Sequence, residues 1–338
     1  MESDKNHLIL SEHIQYDELV SQSSEMKKLM NIEQNISLHD KNWFKTGGNA
    51  RYFCQPSNEH EFSQAVLFAH QQELEIFVLG QGANILISDQ GFDGLVIRPM
   101  LNAISVNNQE ATVTAGAGVC LQKLIDYCLD QQLVGLEEFS GIPGSVGGAV
   151  YINIHYFQFL LSQFLISACV VDRVTGELIN VTPDWFNFGY NQSRLLTKQH
   201  YLVHATFQLT AVDGYQAAYA KGRRDEIIRH RQQRYPRSNT CGSFFRNFVP
   251  EEIPFEINGS KVPFVAYYLD KIGVKGALRV GNAVVSHQHA NMLVTHSAAT
   301  TADVIELART MQQMVQEKFG IVPQPECQFV GFKTYPLL

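Results

Sequence analysis

The clearest periodicity in the chain runs from Thr301 to Phe319, where Val304, Leu307, Ala308, Met311, Val315 and Phe319 recur at helical spacing and Gly320 follows as a stop. That spacing predicts an amphipathic helix with one buried face. Weaker helical patterns occupy Glu59 to Gln72 and Cys120 to Gln131, and a strongly charged one spans Lys221 to Gln233. Strand-like runs alternate with them: Ile76 to Leu79 and Gly94 to Ile97, both bounded by glycine, and Ala111 to Thr114. Asp172 to Asn180 reads as a hairpin with Thr175 and Gly176 in its turn. The most apolar window, Tyr156 to Val171, is interrupted by Gln158, Ser162, Gln163 and Ser167, and it is short for a bilayer span. Residues 1–34 are polar and read as an N-terminal extension with some helical character. No internal repeat or low-complexity tract is visible.

Composition narrows the class. A length of 338 residues predicts two or three domains with ample core, and 45% hydrophobic with 17% charged residues describes an ordinary soluble globular protein. A net charge of −7 argues against wholesale nucleic-acid binding, which needs a basic face. The six cysteines include no Cys-x-x-Cys pair and read as reduced thiols, not a disulfide framework. No basic segment followed by a long apolar run opens the chain, so no signal peptide and no membrane insertion are expected, and the expected location is cytoplasmic.

The chemistry begins with glycine. Gly141, Ile142, Pro143, Gly144, Ser145, Val146, Gly147 and Gly148 place four glycines and a proline within eight residues. Gly47 and Gly48 sit between Thr46 and Asn49, and Leu79 is followed by Gly80, Gln81, Gly82, Ala83 and Asn84. Loops of this kind bring backbone N–H groups close to a diphosphate. Three of them, each beside a strand-like run, argue for a dinucleotide cofactor gripped from several sides. None is a Walker loop, because no Gly-Lys-Ser/Thr follows, and none is a strict Gly-x-Gly-x-x-Gly opening a helix.

The spelling of these loops is specific. Asn42-Trp-Phe-Lys-Thr-Gly-Gly-Asn-Ala50, Leu79 to Asp89, Gly91 to Ile97 and Gly135 to Ala149 occur in that order, followed by Cys241-Gly-Ser-Phe-Phe-Arg-Asn247, Ser286-His-Gln-His-Ala-Asn291 and Phe319 to Glu326. Together they resemble the UDP-N-acetylenolpyruvoylglucosamine reductase family of flavoenzymes, over roughly residues 36–332. The resemblance implies an α+β fold. A two-part FAD-binding domain over residues 35–212, divided into about 35–105 and 106–212, would clamp the flavin, and residues 213–338 would form an α+β substrate-binding domain. The short stretch from Leu209 to Arg223 leaves no room for the tyrosine-bearing insertion of one subclass, so the chain resembles the shorter one. The implied reaction belongs to peptidoglycan precursor synthesis. NADPH reduces non-covalently bound FAD, and the hydride then passes to UDP-N-acetylglucosamine enolpyruvate to give UDP-N-acetylmuramate.

By resemblance, Ser243 is the proton donor and Glu326 its carboxyl partner, while Tyr190, Asn191 and Asn247 contact substrate. The bland alternatives are a turn hydroxyl for Ser243, a cap for Asn247 and a solvated strand-edge acid for Glu326; flanked by apolar and aromatic neighbours, that acid would have a raised pKa. The run from Lys221 to Arg237 holds seven basic residues, most of them expected on a solvated helix face, with Arg234 the best placed to meet a diphosphate. His287 and His289 would face one way on a strand, but no third ligand stands at a sensible spacing, so no metal is expected. Cys241 has no evident base beside it.

Two departures stand out. The family has Phe-Gly-Tyr-Arg-x-Ser, its arginine orienting the enolpyruvyl carboxylate, where this chain has Phe188-Gly-Tyr-Asn-Gln-Ser193. It also has His155-Tyr-Phe-Gln158 where the family has Gly-Ala, an aromatic or histidine, and Gly. A milder change is Ala83 for a serine. These departures leave open an active reductase with a rearranged site, a flavoenzyme of the same fold with another substrate or weak activity, and a FAD-binding interaction protein without turnover. The presence of Ser243, Asn247 and Glu326 together favours the first two.

Overall fold

The computed structural model describes residues 31–338. The first layer is a sheet built from strands β1 (Glu33–Ser37), β2 (Asn49–Cys54), β3 (Ile76–Val78) and β5 (Phe92–Ile97), in the order β1-β2-β5-β3. Strand β1 runs antiparallel to β2, and the other pairs are parallel. Helix α1 (Glu59–Gln71) crosses from β2 toward β3, and its first turn is fixed by Asn58, whose side chain accepts the Glu61 N–H at 2.9 Å. Its buried residues Phe62, Val66, Phe68 and Ala69 pack with Leu95 and Ile97 of this sheet and with Val171, Tyr201 and Val203 of the next. One apolar cluster therefore joins the first two sub-domains along a seam.

The second sheet contains β6 (Ile104–Asn107), β7 (Thr112–Gly116), β8 (Leu165–Asp172), β9 (Leu178–Val181) and β10 (His200–Gln208). Its order is β9-β8-β10-β7-β6, antiparallel throughout. Helices α2 (Leu121–Asp130) and α3 (Val146–Tyr151) cover its core-facing side. The expected hairpin is formed by β8 and β9, with Val171 opposite Leu178.

Helix α4 (Gly214–Arg234), capped by Asp213, begins at Gly214, seven residues earlier than the charge pattern implies. It is fastened to the second sub-domain by ion pairs from Arg223 to Glu138 at 3.0 Å, Arg224 to Asp126 at 2.6 Å and Lys221 to Asp130 at 2.7 Å. Beyond it lie α5 (Val265–Lys271), a small antiparallel sheet holding β11 (Ala283–Val285) and β12 (Leu293–Thr295), and α6 (Thr301–Phe319). Helix α6 has the bounds its periodicity predicts. Thr300 and Asp303 close a reciprocal capping box, and Gly320 ends the helix at φ 71°. Val304, Leu307, Met311 and Val315 are fully buried, and each such side chain stabilises by roughly 1.5–3 kcal/mol.

Chain order and spatial order part company at the C-terminal side. Strand β13 (Gln328–Val330) leaves the third region and pairs in parallel with β4 (Ile85–Ile87), Gln328 lying opposite Ile85. Phe44 and Leu86 in turn join the apolar cluster of the third region, beside Phe244, Phe245 and Met311. The expected boundary after residue 34 falls inside β1. The rest of the expected extension, residues 1–30, lies outside the described residues.

Candidate active site

Two of the glycine loops face each other across a cavity of about 260 Å3 between the first two sub-domains. Gly80, Gln81, Gly82, Ala83 and Asn84, which follow β3, line one wall, and Pro143, Gly144, Ser145, Gly147 and Gly148, which enter α3, line the other. Among the described residues, none of the five amide N–H groups of 80–84 meets a protein acceptor. On the opposite wall the N–H groups of Val146, Gly147 and Gly148 are taken by Val119 O, Ala117 O and Ser145 Oγ, which leaves those of Gly144 and Ser145. A Cβ on Gly80 would strike Ser145 Oγ, so the walls touch at this point, whereas a Cβ on Gly144 would meet nothing within 4 Å. Apposed free N–H donors with open space before them fit a diphosphate. The residues present thus fit FAD.

The third loop lies elsewhere. Gly47 and Gly48 do not line this cavity; a Cβ on Gly47 would come within 2.7 Å of Ile87 Cβ, and one on Gly48 would strike Asp89 O, so their smallness lets two backbones approach. Ile142 packs against the core of the second sub-domain, and Gly141 lines a second cavity of about 210 Å3.

Ser243 and Glu326 are brought to neighbouring segments. The Glu326 N–H donates to Phe244 O at 2.8 Å, and the Arg246 N–H donates to Gln324 O at 2.9 Å. Asn291 holds the serine segment from its other side: its Oδ1 accepts the Phe245 N–H at 3.0 Å and its Nδ2 donates to Phe245 O at 2.7 Å. This buried asparagine is a positioning residue to which sequence reasoning assigned no role, although it closes the Ser286–Asn291 segment. Gly242, next to Ser243, lines the second cavity.

Glu326 is not a solvated edge acid. Burial pushes its carboxyl up to about 7, while a hydrogen bond from Asn191 works in the other direction. Asn191 Nδ2 donates to Glu326 Oε1 at 3.4 Å, and Asn191 Oδ1 is buried without a partner. The backbone at Asn191 has φ 53°, a left-handed conformation that asparagine tolerates better than a long side chain does. The half-exposed ring of Tyr190 packs against His155, with centroids 4.7 Å apart.

The cations are distributed differently from expectation. Arg234 is exposed and stacks on Tyr235 outside both cavities. Arg231, three residues earlier on α4, lines the second cavity with Trp43, Tyr235 and Met292. Its guanidinium lies over the rings of Tyr156 at 5.6 Å and Tyr235 at 5.1 Å, and its Nε is buried without a partner. Burial pulls its pKa down. Among the described residues no carboxylate forms an ion pair with this half-buried guanidinium, so it can receive an anionic ligand. The Arg246 fork is closed on Glu252 at 2.8 and 2.5 Å.

Asn247 is exposed, and its Oδ1 accepts the Val265 N–H at 3.2 Å, so the structure gives it the cap contact at the start of α5. His287 and His289 occupy the turn between β11 and β12, not a strand, and His289 Nδ1 accepts the Asn291 N–H at 3.2 Å. Among the described residues no three His, Cys, Asp or Glu side chains converge to hold a metal ion, and no helix is long and apolar enough to cross a membrane.

Comparison with known proteins agrees with this geometry. Residues 50–182 match the model of an FAD binding domain, and residues 233–330 match that of the C-terminal domain of UDP-N-acetylenolpyruvoylglucosamine reductase. The reductase of Exiguobacterium sibiricum is 34% identical over 299 residues, which covers 88% of this chain and 92% of the relative. That of Desulforamulus reducens is 32% identical over 314 residues, covering 92% and 98%. The solved reductase from Thermus caldophilus superposes with a TM-score of 0.72 at 26% identity, covering 88% of this chain and 98% of the other. From sequence, fold and site together, the chain belongs to the UDP-N-acetylenolpyruvoylglucosamine reductase family.

Proposed function

We propose that this protein is a FAD-dependent reductase that converts UDP-N-acetylglucosamine enolpyruvate to UDP-N-acetylmuramate with NADPH. The observation that carries the reading is Glu326, a half-buried acid whose carboxyl is pushed up to about 7, on a segment hydrogen-bonded to Phe244, the neighbour of Ser243. FAD supplies hydride relay from NADPH to the enol ether. The protein must then protonate the substrate carbon and balance the charge that develops toward the carboxylate. Ser243 Oγ is the proton donor in this reading. Glu326, protonated below about pH 7, keeps a proton at the same site. Arg231 takes over the role first assigned to Arg234 and meets an anionic group of the nucleotide sugar at the second cavity. Asn247, whose Oδ1 is taken by the Val265 N–H, keeps its side-chain amide nitrogen for substrate. A cytoplasmic location goes with a soluble nucleotide-sugar substrate.

The test is anaerobic. The protein is loaded with FAD, reduced with NADPH and mixed with the enolpyruvyl substrate while flavin absorbance is followed. Reoxidation with formation of UDP-N-acetylmuramate is expected. A flavin that is reduced by NADPH yet stays reduced with this substrate would sink the reading.

A further inference from the structure

The two stretches of unusual spelling, Tyr190-Asn191 and His155-Tyr156, lie far apart in sequence and meet in space. The imidazole of His155 packs on Tyr190 at 4.7 Å and lies beside the Asn191 side chain, close enough to interact although no well-formed hydrogen bond joins them. Asn191 in turn donates to Glu326. The next residue, Tyr156, carries the guanidinium of Arg231 over its ring. His155–Tyr156 is one arm of a short hairpin closed by Phe159–Leu160. That hairpin spans from the carboxyl site at Glu326 to the anion site at Arg231.

Among the described residues, the cations around the carboxyl end of this arrangement are already engaged. Arg246 is closed on Glu252, Arg194 is stacked on Trp185 at 5.0 Å, and Arg231 serves the other cavity. Position 191 is a neutral amide. The titratable or charged groups around His155 are Tyr190 beside it, Glu326 across Asn191, Arg246 near Tyr190, Arg231 behind Tyr156, and, on the 137–139 turn packed against this strand, Glu137, which accepts the Gly135 N–H, and Glu138, which is paired with Arg223. Of these, the imidazole is the group that an arriving carboxylate can convert to a cation near neutral pH.

We propose that His155 is a substrate-binding residue that meets the carboxylate of the enolpyruvyl group as an imidazolium, charged by the binding event itself. The proposal rests on the reductase reading above. Burial lowers the proton affinity of His155 in the free protein, so the ring begins neutral and costs little to hold half-buried. A carboxylate placed against it reverses the balance, and one proton is taken up with the ligand. Binding of the carboxylate ligand then weakens as pH rises through the pKa of His155 in the complex.

Calorimetry on the oxidised holoenzyme without NADPH tests this, using UDP-N-acetylglucosamine enolpyruvate and UDP-N-acetylglucosamine, which lacks the carboxylate. Each titration is run in two buffers of different ionisation enthalpy. The expected result is proton uptake with the enolpyruvyl ligand only. Because Glu326 can also take up a proton, the deciding comparison is made in a Glu326→Gln background, where uptake should persist with His155 present and vanish once His155→Gln is added. His155→Gln should bind the enolpyruvyl ligand roughly tenfold to a hundredfold more weakly, the worth of a charge-assisted hydrogen bond, with UDP-N-acetylglucosamine and FAD unaffected. His155→Lys should restore affinity without proton uptake. Uptake that survives in the His155→Gln, Glu326→Gln double variant, or equal affinity of wild type and His155→Gln for the enolpyruvyl ligand, overturns the role of His155 while leaving the reductase reading intact. Failure of the wild-type protein to bind the enolpyruvyl ligand at all overturns both.

Discussion

Asn191 Nδ2 donates to Glu326 Oε1 at 3.4 Å, so an uncharged amide is the side-chain hydrogen-bond partner of an acid whose pKa burial has carried to about 7. That bond opposes the effect of burial. Asn191→Ala should therefore move the Glu326 pKa further up, and Asn191→Arg should move it down by adding a positive charge. If the protonated acid is the working form, the alkaline fall in flavin reoxidation shifts to higher pH in the first variant and lower pH in the second. Identical pH profiles in all three proteins would disconnect Asn191 from Glu326.

Ser243→Ala should leave reduction of the flavin by NADPH close to wild type and slow its reoxidation by substrate by about a hundredfold, the usual contribution of a positioned proton donor. Rapid mixing of each half-reaction separately measures this. Equal slowing of both would make Ser243 structural.

The raised carboxyl also makes a statement about stability. The folded protein holds the Glu326 proton up to about pH 7, whereas the unfolded chain releases it near the ordinary 4.5. The stabilising effect is fully present below 4.5 and is lost as pH rises through 7. Glu326→Gln carries no such dependence. Its melting temperature relative to wild type should climb between pH 4.5 and 7 and level off above, as thermal unfolding across that range would record.

Arg231→Met and Arg234→Met separate the two arginines. The first removes a half-buried guanidinium whose Nε has no partner and whose contacts are the rings of Tyr156 and Tyr235; it should weaken nucleotide-sugar binding at least tenfold with little change in folding stability, since the apolar side chain keeps the packing on those rings. The second alters an exposed side chain and should change neither. Binding titrations with UDP-N-acetylglucosamine and thermal melts of both variants decide the matter.

Gly80→Ala should raise the dissociation constant for FAD, because the new methyl meets Ser145 Oγ and forces the cavity walls apart. Ser145→Ala in the same protein should relieve part of that loss. Flavin fluorescence titration of the single and double variants is the measurement, and additive losses would place the collision elsewhere.

Legibility in the sequence followed how local each cause was. Helix α6 was readable to the residue because its cap, its periodic face and its glycine stop are all short-range. The loops around Gly80 and Gly144 were readable because glycine marks close backbone approach. The start of α4 is hard to read because its first turns carry the exposed Tyr215 and Tyr219 and bury only the small Ala217 and Ala220, so the Asp213 cap is the clearest signal for it. Arg231 and Arg234 are alike as sequence, and what separates them is the position of the Tyr156 ring, set by a hairpin in another sub-domain. Asn291 acts through the Phe245 backbone, a relation that no spacing encodes. Gly47 and Gly48 pack closely on Ile87 and Asp89, and tight backbone packing and ligand approach call for the same residue, so spelling alone does not separate the two.

The parallel pairing of Gln328–Val330 with Ile85–Ile87 sets an order of assembly. On the ribosome, residues 80–87 emerge long before their partner strand, and Asn84 O lacks the Gln328 N–H that it will accept at 3.1 Å. The first two sheets can form and stack around α1 while translation continues, but the wall bearing the flavin loop stays unbraced. Glu326 arrives two residues ahead of the strand that completes that wall. The Glu326 segment therefore cannot be fixed in place until residues 328–330 have docked, and a chain released before that point would carry both walls of the first cavity without the strand that braces one of them.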